Sequence, residues 1–289
     1  MRKFALFALV GLAAVGCGDD GSGGSATGGA ATGGANSGGG GADGGAGGAG
    51  GSGGAGAGGA AAEPQTGEVF LSSGDFSIVA ASFQNNADLN CTTTVLGDCT
   101  LSMCTPITTR VSAGTVTVTA PSATFTLEPN DSNFYPFQNA GGPLWQDGES
   151  IEVEGTGADV PAFSGSVVGP AFVDFSQPDL TGLDKLVLDT SVDLPIAWTG
   201  GTGGKLVVSL LLEYPTNSTT LACSFPADAG QGVMPASAFG MLVKPATGLF
   251  SVDTSNTTSL SVDNAAITIT AQVPAHQGDI PGQIEVELQ

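Results

Sequence analysis

The sequence predicts an all-β fold: a composite antiparallel β-sandwich with at most one short helix, preceded by a disordered Gly-rich linker. Three observations carry that expectation. Short runs of alternating apolar and polar residues recur through residues 64–289, separated by Gly, Pro, Asn and Asp. Four cysteines, Cys91, Cys99, Cys104 and Cys223, fall in the same region. Residues 18–63, by contrast, hold 23 glycines in 46 positions and no aromatic, Leu, Ile, Val or Met. Such a segment cannot bury enough apolar surface to offset its chain entropy.

Ahead of that segment stand Arg2 and Lys3, a nearly uninterrupted apolar run from Phe4 to Val15, then Gly16 and Cys17. The run has the length of a signal-peptide core and falls short of the roughly 20 apolar residues that span a bilayer. Closing on Ala13-Ala14-Val15-Gly16 before Cys17, it resembles a bacterial lipobox, in which the cysteine is lipidated and becomes the mature N-terminus. The expected organisation is a lipoprotein signal peptide over 1–16, a lipidated Cys17 with a disordered Gly/Ala-rich tether over 17–63, and a β-sandwich domain over 64–289. As a random coil the tether reaches about 35–40 Å, enough to lift a domain clear of a membrane surface. Gly50-Gly51-Ser52-Gly53-Gly54 matches the G-x-S-x-G nucleophile pattern in letters only, because that motif needs a strand-turn-helix setting.

Strands follow from alternation. Phe76 to Phe83 opens the series, and Thr115 to Thr119 places Val on one face and Thr on the other. Ala123 to Leu127 carries Phe125 and Leu127 inward; Gly148 to Glu154 pairs a turn with two core positions and an acidic outer face. Leu194 to Trp198 and Leu206 to Leu212 read as strands joined by a Gly200–Gly204 hairpin loop, the second apolar enough to be central. Leu221 to Phe225, Ile267 to Thr270 and Ile284 to Leu288 complete the set. The single helix expected starts with Pro235 at its first position, buries Phe239, Leu242 and Val243, and ends at Lys244. Gly240 inside it costs about 1 kcal/mol, which limits it to a few turns.

An even number of cysteines in an exported chain reads as two disulfides. Three of the four lie within fourteen residues, so at least one bridge is long-range, with three connectivities open. Zinc frameworks use closer cysteine pairs and histidines. A bridge reaching from Cys223 back to the 91–104 region favours one composite sandwich over two independent domains.

Charge excludes some partners. The chain carries a formal net charge of −21, and beyond the N-terminus its only basic residues are Arg110, Lys185, Lys205 and Lys244. A nucleic-acid surface needs clustered Lys and Arg, so no nucleic-acid partner is expected. The expected membrane link is the N-terminal lipid, with a glycan or protein partner at the domain.

Residues 155–165, Gly-Thr-Gly-Ala-Asp-Val-Pro-Ala-Phe-Ser-Gly, together with Asp193-Leu-Pro-Ile-Ala-Trp-Thr-Gly-Gly201 and Cys223-Ser-Phe225, resemble uncharacterised secreted lipoproteins abundant in myxobacteria. The likeness extends over most of residues 64–289. It implies a surface lipoprotein with a disulfide-containing β domain and carries over no catalytic residue.

Candidate chemistry is sparse. His276 is the only histidine and is expected in an exposed, proline-punctuated loop, with Asp279 near and no serine elbow beside it. Glu149, Glu152 and Glu154 supply the carboxylates of a carbohydrate-hydrolase alternative, yet alternation accounts for them equally as a solvated face. Glu128, Asn130 and Asp131 group oxygen ligands of the type Ca²⁺ prefers, in a loop whose composition also suits ordinary turns; Ca²⁺ is the one cofactor candidate. Phe134, Tyr135, Phe137 and Trp145 are a candidate binding platform for sugars or a partner, though plugging one end of a sandwich core is the commoner role of such residues. The expectation is therefore a non-enzymatic binding or structural protein, exported and lipid-anchored to the cell envelope, at the outer membrane of a Gram-negative bacterium. The alternatives are a carboxylate-based carbohydrate hydrolase and a Ca²⁺-dependent adhesion or carbohydrate-binding module.

Overall fold

A computed structural model describes residues 63–85, 91–105, 109–213, 218–242 and 246–289. Cys17, the signal segment, the tether to residue 62, Val243 and Lys244 lie outside the described residues. The chain runs through β1 (Gln65–Ser72), β2 (Phe76–Asn85), β3 (Cys91–Leu96), β4 (Cys99–Cys104), β5 (Val116–Thr119), β6 (Thr124–Leu127) and β7 (Gln138–Gly141). It continues with β8 (Ser150–Gly155), β9 (Phe163–Val168), β10 (Val173–Gln177), β11 (Lys185–Leu188), β12 (Leu194–Gly200) and β13 (Lys205–Glu213). Then come β14 (Ser218–Pro226), β15 (Gln231–Met234), the single turn α1 (Ala236–Phe239) and the long β16 (Ala246–Val262). β17 (Ala265–Pro274), β18 (His276–Gln277), β19 (Ile280–Pro281) and β20 (Gln283–Leu288) end it. The fold is all-β, as the alternation predicts.

One large sheet, ordered β3-β4-β14-β13-β16-β17-β1-β2-β7 with β20 and β11 attached beside β16, backs two smaller sheets. β15-β12-β10-β18-β19 forms one and β6-β5-β8-β9 the other. Two apolar cores result. The first gathers Leu206, Val208, Leu210 and Leu212 of β13 with Phe225, Phe250 and Trp198. The second gathers Val69 and Leu71 of β1 with Phe83, Ile151, Val153, Ile267 and Ile269.

β16 joins them. Its first half pairs with β13 and β20, its second half with β17, and its inward residues pass from Phe250 and Val252 in the first core to Leu260 and Val262 against the second. β1 lies parallel to β17 and antiparallel to β2. β11·β20 and β10·β18 are also parallel, so the sandwich is mainly antiparallel without being purely so.

Local departures have local causes. The Gly200–Gly204 segment is not a hairpin loop: β12 pairs with β10 and β15, while β13 pairs with β14 and β16. Gly200, Gly201, Gly203 and Gly204 all have φ between 74° and 87°, and that left-handed backbone, open to glycine, carries the chain from one sheet to the other. β13 is central, as predicted, but its outward Val207 and Leu211 are half-buried, so one face alone is fully covered. The helix is a single turn capped by Pro235 in an extended conformation; Phe239 and Leu242 are buried as expected.

Both disulfides staple neighbouring strands. Cys91–Cys104 links β3 to β4, and Cys99–Cys223 links β4 to β14, each between directly opposed residues. The exposed edge strand β3 is thus tied to a strand that is itself tied to the interior of the sheet.

Candidate functional site

The strand pairing brings four separated segments together. Because β1 and β17 are parallel neighbours, they end at the same edge, and the Ser73 N–H donates to the Gln272 carbonyl at 2.9 Å. The turn after β1 therefore meets the segment leaving β17. β2 pairs with β7 so that Phe76 faces Gly141, which delivers the loop 143–147 to the same place. The crossing from β9 to β10 supplies Pro170 and Phe172.

Hydrogen bonds lock these walls. The Ser73 hydroxyl accepts from the Leu144 N–H at 2.8 Å, and the Ser77 hydroxyl donates to the Gly142 carbonyl at 2.7 Å. Gln146 N–H donates to the Glu149 carboxylate at 2.7 Å, and Gly169 N–H to the Glu149 carbonyl at 2.8 Å. Trp145 packs on Gly169 so closely that a Cβ there would stand 2.2 Å from the indole. Glycine is required by that approach.

The half-open hollow between these walls has a volume of about 280 Å³. Its rings are Trp145, Phe172 and His276, flanked by Pro143, Pro170 and Pro274. Phe172 remains 49% exposed and meets His276 edge to face at 5.0 Å, so one aromatic surface is open to a ligand. Asp75 and Asp147 are exposed carboxylates of the lining, Asp147 accepting from the Thr202 hydroxyl at 3.3 Å. No Lys or Arg lines it.

Ser73, His276 and Asp75 all line the hollow, but Ser73 is 2% exposed and its hydroxyl is held by Leu144. No hydrogen bond between Ser73 and His276 occurs among the described residues, so a nucleophile–base pair is not assembled. His276 itself is half-buried in β18 and not in an exposed loop, a correction to the sequence expectation.

The remaining predicted site residues fall as follows. The four aromatics do not form one platform: Tyr135 and Trp145 are buried in the second core, while Phe134 and Phe137 are exposed. Tyr135 is held there by bonds from the Ala113 N–H (2.8 Å) and to the Gly114 carbonyl (2.7 Å). Phe134 carries the Arg110 guanidinium 5.4 Å from its ring centre. In the calcium-candidate loop, the Glu128 carboxylate accepts from the Thr115 hydroxyl at 3.0 Å, and Asn130 Oδ1 accepts from the Ser132 and Phe134 N–H groups. Asp131 is exposed. Those oxygens close a turn, and among the described residues no three His, Cys, Asp or Glu side chains converge as a metal site. Glu152 and Glu154 stand exposed on the outer face of β8, and neither lines the hollow.

Two carboxylates are raised above their ordinary range. Glu68 keeps part of its surface open on β1, yet desolvation by the strands packed around it pushes its carboxyl up to about 8. Full burial pushes Asp253 up to about 6, opposed by hydrogen bonds from Gln272 and Ser251. Elsewhere the Lys185–Glu287 pair, joined by a hydrogen bond, holds the lysine above and the glutamate below their ordinary values.

The sequence points to Trp145, as one of four grouped aromatics, and to His276, but not to Phe172 or Asp147. The signal available was the proline beside each ring: Pro143, Pro170 and Pro274 rigidify the three segments that converge.

No protein-family model and no curated protein matches the chain. Among solved structures it aligns with the crystal structure of trypsin-activated alpha-2-macroglobulin from Escherichia coli. That match has 11% identity and a TM-score of 0.19, covering 76% of this chain and 16% of the other. A likeness at that level carries no argument about fold or function.

Proposed function

We propose that this chain is an exported, lipid-anchored binding protein: Cys17 holds it to the cell envelope, the Gly-rich tether gives it reach, and the β-sandwich presents the hollow to ligands. The observation that supports binding most is the open ring of Phe172 over a walled hollow that also contains Trp145 and His276. Rigid aromatic surface with a few polar groups is what small-molecule and side-chain recognition uses. The absence of an assembled nucleophile–base pair among the described residues favours binding over turnover.

The anchor is tested by feeding labelled palmitate to cells that express the chain. Label incorporated into the wild-type protein, lost in Cys17→Ser together with release from the membrane fraction, is the expected result. A wild-type chain that takes up no label would overturn the lipid anchor.

A further inference from the structure

Resting on the binding reading, we propose that the hollow recognises an alkylammonium group, the positively charged head of a small quaternary amine or of a lysine side chain. Three features of the lining point to a cation. Asp75 and Asp147 are exposed carboxylates, and no basic residue shares the lining to neutralise them. The half-exposed ring of Phe172 offers a π-system of the kind that attracts ammonium groups. The chain as a whole carries a formal charge of −21, so its field concentrates cations and repels anions at any cleft of this kind.

Other ligand chemistries fit less well. An anion would meet two carboxylates with no counter-charge. A neutral sugar leaves the two lining carboxylates without a counter-charge and is distinguished from a cation by the uncharged probe below. A volume of about 280 Å³ accommodates a trimethylammonium or lysine head.

The test titrates the full chain, in mild detergent, with three probes by calorimetry: choline, Nα-acetyl-lysine methylamide, and the uncharged tert-butyl isostere of choline. Binding of either cation at least tenfold tighter than the isostere, weakened by salt, is expected. Asp147→Asn and Phe172→Ala, both at exposed positions, should each weaken it about tenfold, with unfolding temperatures unchanged. Preference for choline assigns a small quaternary amine; preference for the lysine probe assigns a protein side chain. Equal binding of the isostere, or insensitivity to both substitutions, overturns the cation assignment while leaving a binding module. Failure of all three probes, with a neutral ligand found to depend on Phe172, does the same. If all three probes fail and no such ligand is found in a broad screen, both readings fall.

Discussion

At the scale of single residues, Glu68 and Asp253 set the expected pH response. Burial holds their protons in the native state up to about pH 8 and about pH 6, whereas the unfolded chain releases them in the ordinary carboxylate range. Between those limits the unfolded state binds fewer protons than the native one, so stability falls as pH rises. Below the ordinary range both states are protonated and this contribution is fully retained. The half-buried Glu287 and the exposed Asp179 act oppositely, since hydrogen bonds lower both, and their effect is lost as pH falls below about 4. The unfolding temperature should therefore peak in mildly acidic solution and decline toward pH 8. Glu68→Gln should raise it at pH 8 and flatten the decline, while Glu152→Gln, which removes an exposed charge from β8, should do neither. A parallel response from the two variants would show that net charge, and not burial at Glu68, governs the slope.

Among the elements, the disulfides offer a graded test. In the chain-entropy account a bridge stabilises by restricting the unfolded state, more for a longer loop. Cys99–Cys223 spans 124 residues and Cys91–Cys104 spans 13, corresponding to about 5 and about 3 kcal/mol. Double substitution to Ala at 99 and 223 should thus lower stability in urea more than at 91 and 104. Equal losses would mean that local packing at β4 outweighs loop entropy. The elements also show what was legible in sequence. β5, β6 and β8 were readable because each buries one face only, leaving Val118, Phe125 and Val153 in strict alternation with polar residues. β16 was not, because Thr254, Asn256 and Thr258 occupy inward positions and erase the contrast on which alternation depends. The glycines after β12 announced a turn correctly but not its destination, which is chosen by the distant partners β10 and β15. The hollow was hidden for the same reason: it exists only once β1 lies parallel to β17, a pairing between residues about two hundred positions apart.

For the whole molecule, the question is whether two cores make one folding unit. β16 contributes backbone pairing to both halves, and the Thr254 hydroxyl, at its midpoint, donates to the Ala171 carbonyl at 2.6 Å in the crossing between the smaller sheets. Losing either half would strip β16 of partners on one side and expose unpaired backbone, a cost that couples the halves. The two tryptophans make this measurable, because Trp198 reports from the first core and Trp145 from the second. Trp145→Phe and Trp198→Phe each leave a single reporter, and a large-to-small change in one core, Leu210→Ala or Ile269→Ala, costs about 2–5 kcal/mol. If β16 makes the domain one cooperative unit, Leu210→Ala shifts the transition seen by Trp145 as far as that seen by Trp198, and Ile269→Ala does the same in reverse. A shift confined to the reporter in the altered core would instead divide the chain into two sandwiches that share a strand without sharing stability. The hollow would then lie between units free to open separately, and a ligand bridging its walls should bring the two transitions back together.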